Sequence, residues 1–155
     1  MGVQTIDRIT ASVDRGRAFV ATSNKVVLSG GADLLYLLVG ANKKVRLTRV
    51  IFGCDSGKGV LYISTNITGT ITGTAVTPIN RYIGKGATST CTVYKSVGGV
   101  STKDIVHTVP FASAFILDLG AGLVLSAGAK LLISLDLTGT DVNVAADIEW
   151  SEDDA

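Results

Sequence analysis

The sequence of 155 residues has few charged side chains, and this shortage excludes several classes of protein. Asp, Glu, Lys and Arg make up 17% of the residues, whereas soluble domains usually carry about 25%. Hydrophobic residues make up 46% and the formal net charge is +1, which excludes an intrinsically disordered chain. The same balance argues against nucleic-acid binding through bulk positive charge. The length suits a single domain, and a surface so poor in charge is suited to burial against other chains.

Histidine and cysteine are also scarce, which restricts catalysis and metal binding. His107 is the single histidine, so any Ser-His-Asp or Cys-His arrangement would depend on it, and no Gly-x-Ser-x-Gly motif is present. Cys54 and Cys91 lack CxxC spacing and supply too few ligands for zinc. We interpret them as two small buried hydrophobes, with one disulfide bridge left open as an alternative. We therefore predict no enzymatic activity, no metal and no cofactor.

One glycine-rich segment is similar to a phosphate-binding P-loop, and several carboxylates could form a glycosidase pair. The sequence supports neither function. Three residues separate Gly53 from Gly57 where a P-loop has four, and Gly59 stands where the magnesium-binding hydroxyl belongs. The carboxylates of Asp136 and Asp147 fall on the polar faces of regular strands, where acids are simply solvated. We predict a surface turn at the glycines and no glycosidase pair among the acids.

Long hydrophobic runs are missing as well. The longest uncharged apolar stretch, Leu119–Ala129, has 11 residues, whereas a membrane-spanning helix needs about 20. The first 17 residues lack the apolar region of a signal peptide. We therefore expect a soluble protein that is made in a cytoplasm and has no contact with a membrane.

The chain instead contains many short β-prone runs separated by Gly, Asn, Asp and Ser. About eight to ten strands at such close spacing are typical of a sandwich or a barrel. The clearest runs are Val26–Leu28, Leu34–Val39, Lys44–Phe52, Val60–Thr65, Thr90–Tyr94, Ser113–Leu119, Ala129–Leu137 and Val142–Trp150. The Thr- and Gly-rich segment 68–74 is predicted to be an exposed edge or loop. Helix signals are weak, and Thr5–Val13 is the best candidate.

The last two of these runs alternate between apolar and polar residues. Alternation of this kind predicts that one face of Ala129–Leu137, and one face of Val142–Trp150, points toward a core. The opposite faces would then meet solvent or a partner. The link Thr138–Asp141 predicts a tight hairpin that joins the two strands, and Trp150 falls on the core face.

Charge is divided unevenly along the chain. Residues 1–103 carry 13 Lys and Arg against 4 Asp and Glu, whereas residues 104–155 carry 1 Lys against 9 Asp and Glu. Either strands of both halves interleave, so that the charges cancel in space, or a bipolar surface orients the subunit against neighbours. The second reading has two poles, a basic cluster of Lys43, Lys44, Arg46 and Arg49 and an acidic cluster of Glu149, Glu152, Asp153 and Asp154. The candidate partner contacts are Lys43, Lys44, Arg46, Glu152, Asp153 and Asp154 from these poles, together with Arg8, Arg15 and Arg17 near the N-terminus.

The order of several segments resembles a known family. Asn42–Leu47 leads into a strand, Gly59–Ser64 follows, Gly73–Arg81 contains Thr-Pro-Ile-Asn-Arg, and an alternating strand ends in Ile148-Glu149-Trp150. This order is similar to the small jelly-roll decoration proteins of tailed bacteriophages, over about residues 20–150. The resemblance implies an all-β, jelly-roll-like antiparallel sandwich of about eight to ten strands. We predict a short N-terminal arm over residues 1–17, a sandwich domain over 18–150 and an acidic tail over 151–155.

The same resemblance implies a function. Members of this family are non-enzymatic virion proteins that bind the major capsid protein on the capsid exterior, often as homotrimers, and stabilise the shell. No catalytic residue, cofactor, direct nucleic-acid contact or membrane contact follows from it. The alternative is a tail or head-fibre module that binds receptors or glycans through aromatic side chains such as Tyr62, Tyr82 or Tyr94. A hydrolase that depends on His107 is a third and weaker hypothesis.

Overall fold

The computed structural model describes residue 13 and residues 15–84 and 86–155. Most of the predicted arm, including Arg8 and all but the last residue of the helical candidate Thr5–Val13, lies outside the described residues. Within residues 15–84 and 86–155 every regular element is a β-strand, which confirms the all-β prediction. No helix in this part of the chain is long and apolar enough to cross a membrane.

The described residues contain ten strands, in agreement with the predicted eight to ten. In chain order they are β1 (Ala18–Thr22), β2 (Val26–Leu28), β3 (Ala32–Leu38), β4 (Lys43–Cys54), β5 (Lys58–Val76), β6 (Ile79–Asn80), β7 (Thr92–Phe111), β8 (Phe115–Leu125), β9 (Lys130–Thr138) and β10 (Val142–Asp154).

The strands form two antiparallel sheets that pack face to face. The first sheet has the order β6-β1-β10-β4-β8, with β2 beside β10, and the second contains β3, β9, β5 and β7 in that order. The eight longer strands alternate between the sheets along the chain, except that β5 and β7 are consecutive members of the second. This is the strand order of a jelly roll, so the predicted fold class is confirmed.

The main core lies between the sheets and is filled by the alternating residues of the long strands. On β10, the side chains of Val142, Val144 and Ile148 are buried, as is that of Trp150. The Trp150 ring stacks on Phe19 with ring centroids 6.0 Å apart. Burying side chains of this size stabilises the fold by about 1.5–3 kcal/mol each. The predicted core position of Trp150 is confirmed.

The predicted hairpin between the last two strands is wrong. β9 pairs with β3 and β5, whereas β10 pairs with β1, β2 and β4, so the two strands belong to different sheets. Their apolar faces meet across the core instead of lying side by side. The link after Thr138 crosses from one sheet to the other, with positive φ at Gly139 and Asp141. Gly and Asp suit such a crossing as well as they suit a hairpin, because both tolerate positive φ.

β5 and β7 form one long hairpin that bends around the second sheet. The first residues of β5, Lys58–Thr65, pair with β9, whereas the first residues of β7, 92–97, pair with β3. Because β3 and β9 pair with each other, the two ends of the hairpin lie on opposite sides of that pair and close a ring of four strands. We call residues 66–72 and 98–103, where the register shifts repeatedly, the arch.

Two glycines permit the close approach of the strands in the arch. Gly69 and Gly99 have φ of 118° and 79°, in the region that favours glycine. A Cβ at Gly99 would overlap the carbonyl oxygen of Thr70, and one at Gly69 would overlap the carbonyl oxygen of Gly99. Most side chains of segment 68–74 are exposed and its second edge has no partner among the described residues, so the predicted exposed edge is confirmed.

The arch covers part of the outer face of the second sheet. Tyr36 of β3 and Leu132 of β9 point away from the main core, yet both are buried in a small second cluster with Ile67 of the arch. The rings of Tyr36 and Tyr94 stack there, with centroids 5.9 Å apart. The alternation of β9 therefore identifies its core face correctly, but around Leu132 its other face meets the chain's own arch instead of solvent or a partner.

Candidate functional site

The predicted basic and acidic groups lie side by side at one end of the first sheet. In the β4–β10 register, Lys43 is opposite Asp154 and Lys44 is opposite Asp153. The Lys43 Nζ atom is 2.7 Å from Asp154 Oδ1, and the Arg17 Nη1 atom is 2.8 Å from Asp153 Oδ1. These charges therefore cancel within the chain, as the interleaving interpretation predicts, and do not form opposite poles.

The ion pairs shift the pKa values of their members in the expected directions. The hydrogen bond and the charge of Asp154 raise the pKa of Lys43, and Lys43 lowers the pKa of Asp154 for the same reasons. Lys44 and Arg15 are exposed, and Arg46 lies opposite Ser151 in the same register. Exposed ion pairs of this kind contribute little to stability.

The acidic tail is part of the sandwich, which corrects the predicted boundary at residue 150. β10 runs to Asp154, and a register shift between Glu149 and Trp150 precedes its last residues. Glu152 lies two residues after Trp150 and is only 5% exposed. Its backbone N–H donates to the carbonyl oxygen of Arg17 over 2.9 Å, which fixes the last described residue before β1 to the end of β10.

The Glu152 carboxylate is satisfied by neutral donors rather than by a cation. The Trp150 Nε1 atom donates to Oε1 over 3.1 Å, and the Ser89 hydroxyl donates to the same oxygen. The backbone N–H and the hydroxyl of Thr90 donate to Oε2 over 3.2 and 3.3 Å. Glu152 is therefore a structural residue that ties the segment before β7 to β10, and it is not available as a partner contact.

Both cysteines are free thiols, so the open alternative of a bridge is not realised. Burial, followed by the nearby Glu152, raises the pKa of Cys91 to about 12. Burial and Asp55 also raise the pKa of the half-buried Cys54. Because the thiolate is the nucleophile, neither site is prepared for cysteine chemistry.

The other predicted features lie where simple solvation or turn formation explains them. The glycine-rich segment after β4 is the turn that leads into β5, with Gly57 at φ 76°. His107 and Asp118 are exposed on β7 and β8. Among the described residues, no three His, Cys, Asp or Glu side chains come close enough to hold a metal ion.

A cleft on the outer face of the second sheet contains polar side chains from four strands. Its volume is about 400 Å³, and it is lined by Asp33, Tyr62, Lys103, Ile105, Ser134 and Asp136, together with Gly31, Ala32 and Leu135. The Lys103 Nζ atom donates to Ser134 Oγ over 3.1 Å and is 3.7 Å from Asp33 Oδ1. The Tyr62 hydroxyl donates to Asp136 Oδ2 over 3.1 Å, which raises the pKa of Tyr62.

The sequence does not reveal this cleft. The polar positions of β9 are visible as Ser134 and Asp136, and Tyr62 stands out as an aromatic residue in a strand. Lys103 reaches them only because the β5–β7 hairpin bends back over the sheet. No local spacing encodes that bend, apart from the Thr and Gly repetition of residues 68–74.

A second surface feature consists of exposed apolar side chains on two free strand edges. Among the described residues, β8 pairs only with β4, and residues 104–111 of β7 pair only with β5. Ile105 and Ile116 on these strands are 51% and 64% exposed, and Val106 and Val124 are also exposed. Ile116 lies opposite the half-buried Ile51 of β4, which extends the apolar surface inward from the edge.

Comparison with known proteins adds no identification. No protein-family model matches the chain, and a search of curated proteins finds no match either. Function is therefore inferred from the fold and its surfaces.

Proposed function

We propose that this chain is a non-enzymatic structural protein of a bacteriophage virion that binds the capsid exterior and stabilises the shell. The observation that carries the proposal is the pair of free strand edges with exposed Ile105, Val106, Ile116 and Val124. The jelly-roll strand order and the sequence resemblance to phage decoration proteins support the same function.

Free edges with apolar side chains are unusual in a protein that works alone. Edge strands expose unpaired N–H and C=O groups, and proteins commonly protect them with charges, proline or a covering segment. β8 carries one charged residue, Asp118, and no proline over its 11 residues. A bulge interrupts its pairing with β4 between Asp118 and Leu123, and the segments on both sides of the bulge keep an edge that is free among the described residues. An edge of this kind is suited to pairing with another chain, because backbone hydrogen bonds and apolar pockets then act together.

The low charge of the chain fits the same role. The cores of protein interfaces are depleted in Lys, Glu and Asp, and 17% charged residues leave large neutral areas on a domain of this size. We propose the major capsid protein as the partner and a homotrimer as the assembly, since many weak contacts repeated by symmetry give high avidity on a lattice. Heads that carry the protein would then resist heat and osmotic shock better than heads without it.

The test is binding of the full chain to purified heads that lack it. We expect the wild-type protein to sediment with the heads and to raise the temperature at which they release DNA. Ile116→Asp places a charge near the start of the β8 edge and should reduce binding at least about tenfold, because a buried unpaired charge is costly at an interface.

Ile83→Asp is the matched control, because Ile83 is 79% exposed and lies outside both edge strands. It should bind as the wild type does, and circular dichroism should show that both variants remain folded. Absence of wild-type binding, together with heads that resist heat equally well without the protein, would refute the proposed function.

A further inference from the structure

We propose that the cleft between the second sheet and the arch binds a neutral saccharide. This goes beyond the proposed role on the capsid, because it assigns a small-molecule ligand to a cleft that shares only Ile105 with the two apolar edges. A saccharide at this position would give a shell protein a second function, namely attachment of the particle to a glycan-coated surface.

The cleft has a defined floor, side and end. Tyr62, Ser134 and Asp33 form one row across β5, β9 and β3 and make up the floor. Lys103 and Ile105 come from β7 and form the side. Two residues before Ser134 on β9, the side chain of Leu132 is buried beneath the arch and closes one end of the cleft. A volume of about 400 Å³ is at the lower end of the range for ligand pockets, which suits one or two sugar rings.

The polar groups of the cleft include both donors and acceptors. Asp33 and Asp136 accept hydrogen bonds, Lys103 donates them, and the hydroxyls of Tyr62 and Ser134 do both. Sugar hydroxyls are also both donors and acceptors, so adjacent hydroxyls can donate to a carboxylate and accept from the ammonium group. The side chain of Ile105 offers an apolar contact for the C–H face of a sugar ring.

Other ligand classes fit these residues less well. Two carboxylates and one ammonium leave a net negative charge, which repels an anion. A hard cation such as Ca²⁺ takes six to eight oxygen ligands, and the ammonium group of Lys103 lies 3.7 Å from one of the two carboxylates. An apolar ligand would bury the polar groups without partners, which is costly. After anions, hard cations and apolar ligands, a neutral ligand rich in hydroxyl groups is the class that fits these residues best.

The residues are held in place before a ligand arrives. Lys103 is fixed by Ser134 and Asp33, and Tyr62 is fixed by Asp136. Gly31 leaves space beside the other oxygen of Asp136, because a Cβ at that position would lie 3.0 Å from Oδ1. Prior ordering of this kind lowers the entropic cost of binding.

The test is an NMR titration of the ¹⁵N-labelled full chain with glucose, galactose, N-acetylglucosamine and rhamnose, each at millimolar concentration. At least one sugar should shift the amide signals of Asp33, Tyr62 and Ser134 in a saturable manner. Asp136→Asn should weaken that binding about tenfold, because it removes a charged acceptor. Asp118→Asn, at an exposed carboxylate on the other sheet, should leave it unchanged.

The titration uses no capsid, so its result is independent of the proposed function. If none of the four sugars shifts the cleft signals, the proposal is wrong. It is equally wrong if Asp136→Asn binds as tightly as the wild type, or if phosphate or Ca²⁺ shifts these signals while the sugars do not.

Discussion

The outer faces of the two sheets differ, although the strands beneath them carry the same alternating pattern. On the first sheet the outer face is open among the described residues, with Ile116 exposed and Arg49 3.6 Å from Glu149. On the second sheet the arch covers Tyr36 and Leu132 and completes the polar cleft. A strand's own pattern thus fixes which face enters the core, whereas a distant segment decides whether the other face is covered.

This difference is the basis on which we propose different tasks for the two sides of the molecule. The covered side encloses a second apolar cluster and a cleft, which are the parts of a site for a small ligand. The open side presents the apolar edge of β8, which we propose as part of a surface for another chain. Leu132 and Gly99 test this division directly, whereas Glu152 and Cys91 test the end of β10 and the main core.

The largest effect is expected when the covered face loses a side chain. Leu132→Ala removes a fully buried side chain beneath the arch and should cost about 2–5 kcal/mol in the free energy of unfolding. Ile116→Ala, on the open face, should cost less than about 0.5 kcal/mol. Urea denaturation of both variants measures the difference, and equal costs would contradict the division into covered and open faces.

The next effect concerns the bend of the arch itself. Gly99→Ala places a Cβ against the Thr70 carbonyl oxygen and should cost about 3 kcal/mol, since strain and overlap combine. Gly128→Ala is the matched control, because Gly128 has a φ of 77° against 79° at Gly99 but no atom near its Cβ.

The control should cost only about 1 kcal/mol, which is the conformational strain alone. Thermal unfolding of the two variants separates the cost of backbone strain from the cost of the overlap with Thr70. If the two alanines cost the same, the arch relaxes without penalty and its close strand approach is not required.

A smaller effect is expected at the end of β10, where two adjacent acids face opposite sides. Glu152→Ala leaves the indole N–H of Trp150 and the hydroxyl of Ser89 without their acceptor and should cost about 2 kcal/mol. Asp153→Ala breaks a half-exposed ion pair with Arg17 and should cost less than about 1 kcal/mol. Denaturation midpoints compare the two, and a larger loss for Asp153→Ala would refute the structural role of Glu152.

The smallest effect, when it is measured just above pH 9, is the pH dependence contributed by Cys91 in the core. Its pKa rises from 9.0 to about 12 on folding, so the folded thiol keeps its proton where the unfolded thiol loses it. Stability from this group is complete below pH 9 and falls as the pH rises toward 12, by at most about 1.4 kcal/mol per pH unit. The free energy of unfolding should be measured for the wild type and for Cys91→Ala at pH values on either side of 9. The difference between the two proteins isolates the contribution of Cys91 from that of lysines and tyrosines.

A difference that is constant with pH would show that Cys91 has the same pKa in the folded and unfolded states. Alkylation gives a second measure, because native Cys91 should react only after unfolding. The half-buried Cys54 serves as the internal comparison and should react earlier.

Much of the fold could be predicted from the sequence because strand patterns are local. The alternation in Val142–Trp150 identifies its buried residues correctly, including Trp150, and the spacing of the runs gives the number of strands and the sandwich class. The exposed Thr and Gly repetition of residues 68–74 is also identified, although its position in the arch is not.

The pairing of strands is harder to predict. A strand has the same alternation of apolar and polar residues whether the next strand lies beside it in one sheet or across the core in the other. The short link after Thr138 predicts a hairpin, yet the two strands that it joins, β9 and β10, face each other across the core. Similarly, the run Glu152–Asp154 appeared as an acidic tail because its charges suggest solvent, whereas neutral donors from Ser89, Thr90 and Trp150 allow Glu152 to be buried.

The sequence by itself determined the class of fold, the residues of the main core and the shortage of charge, since these depend on composition and on side-chain order within single strands. Only the tertiary structure decided that opposite charges pair on β4 and β10, that the arch covers one sheet, and that Lys103 completes a cleft with Asp33. Those features join residues far apart in the chain, and their contacts form only when the strands that carry them come together.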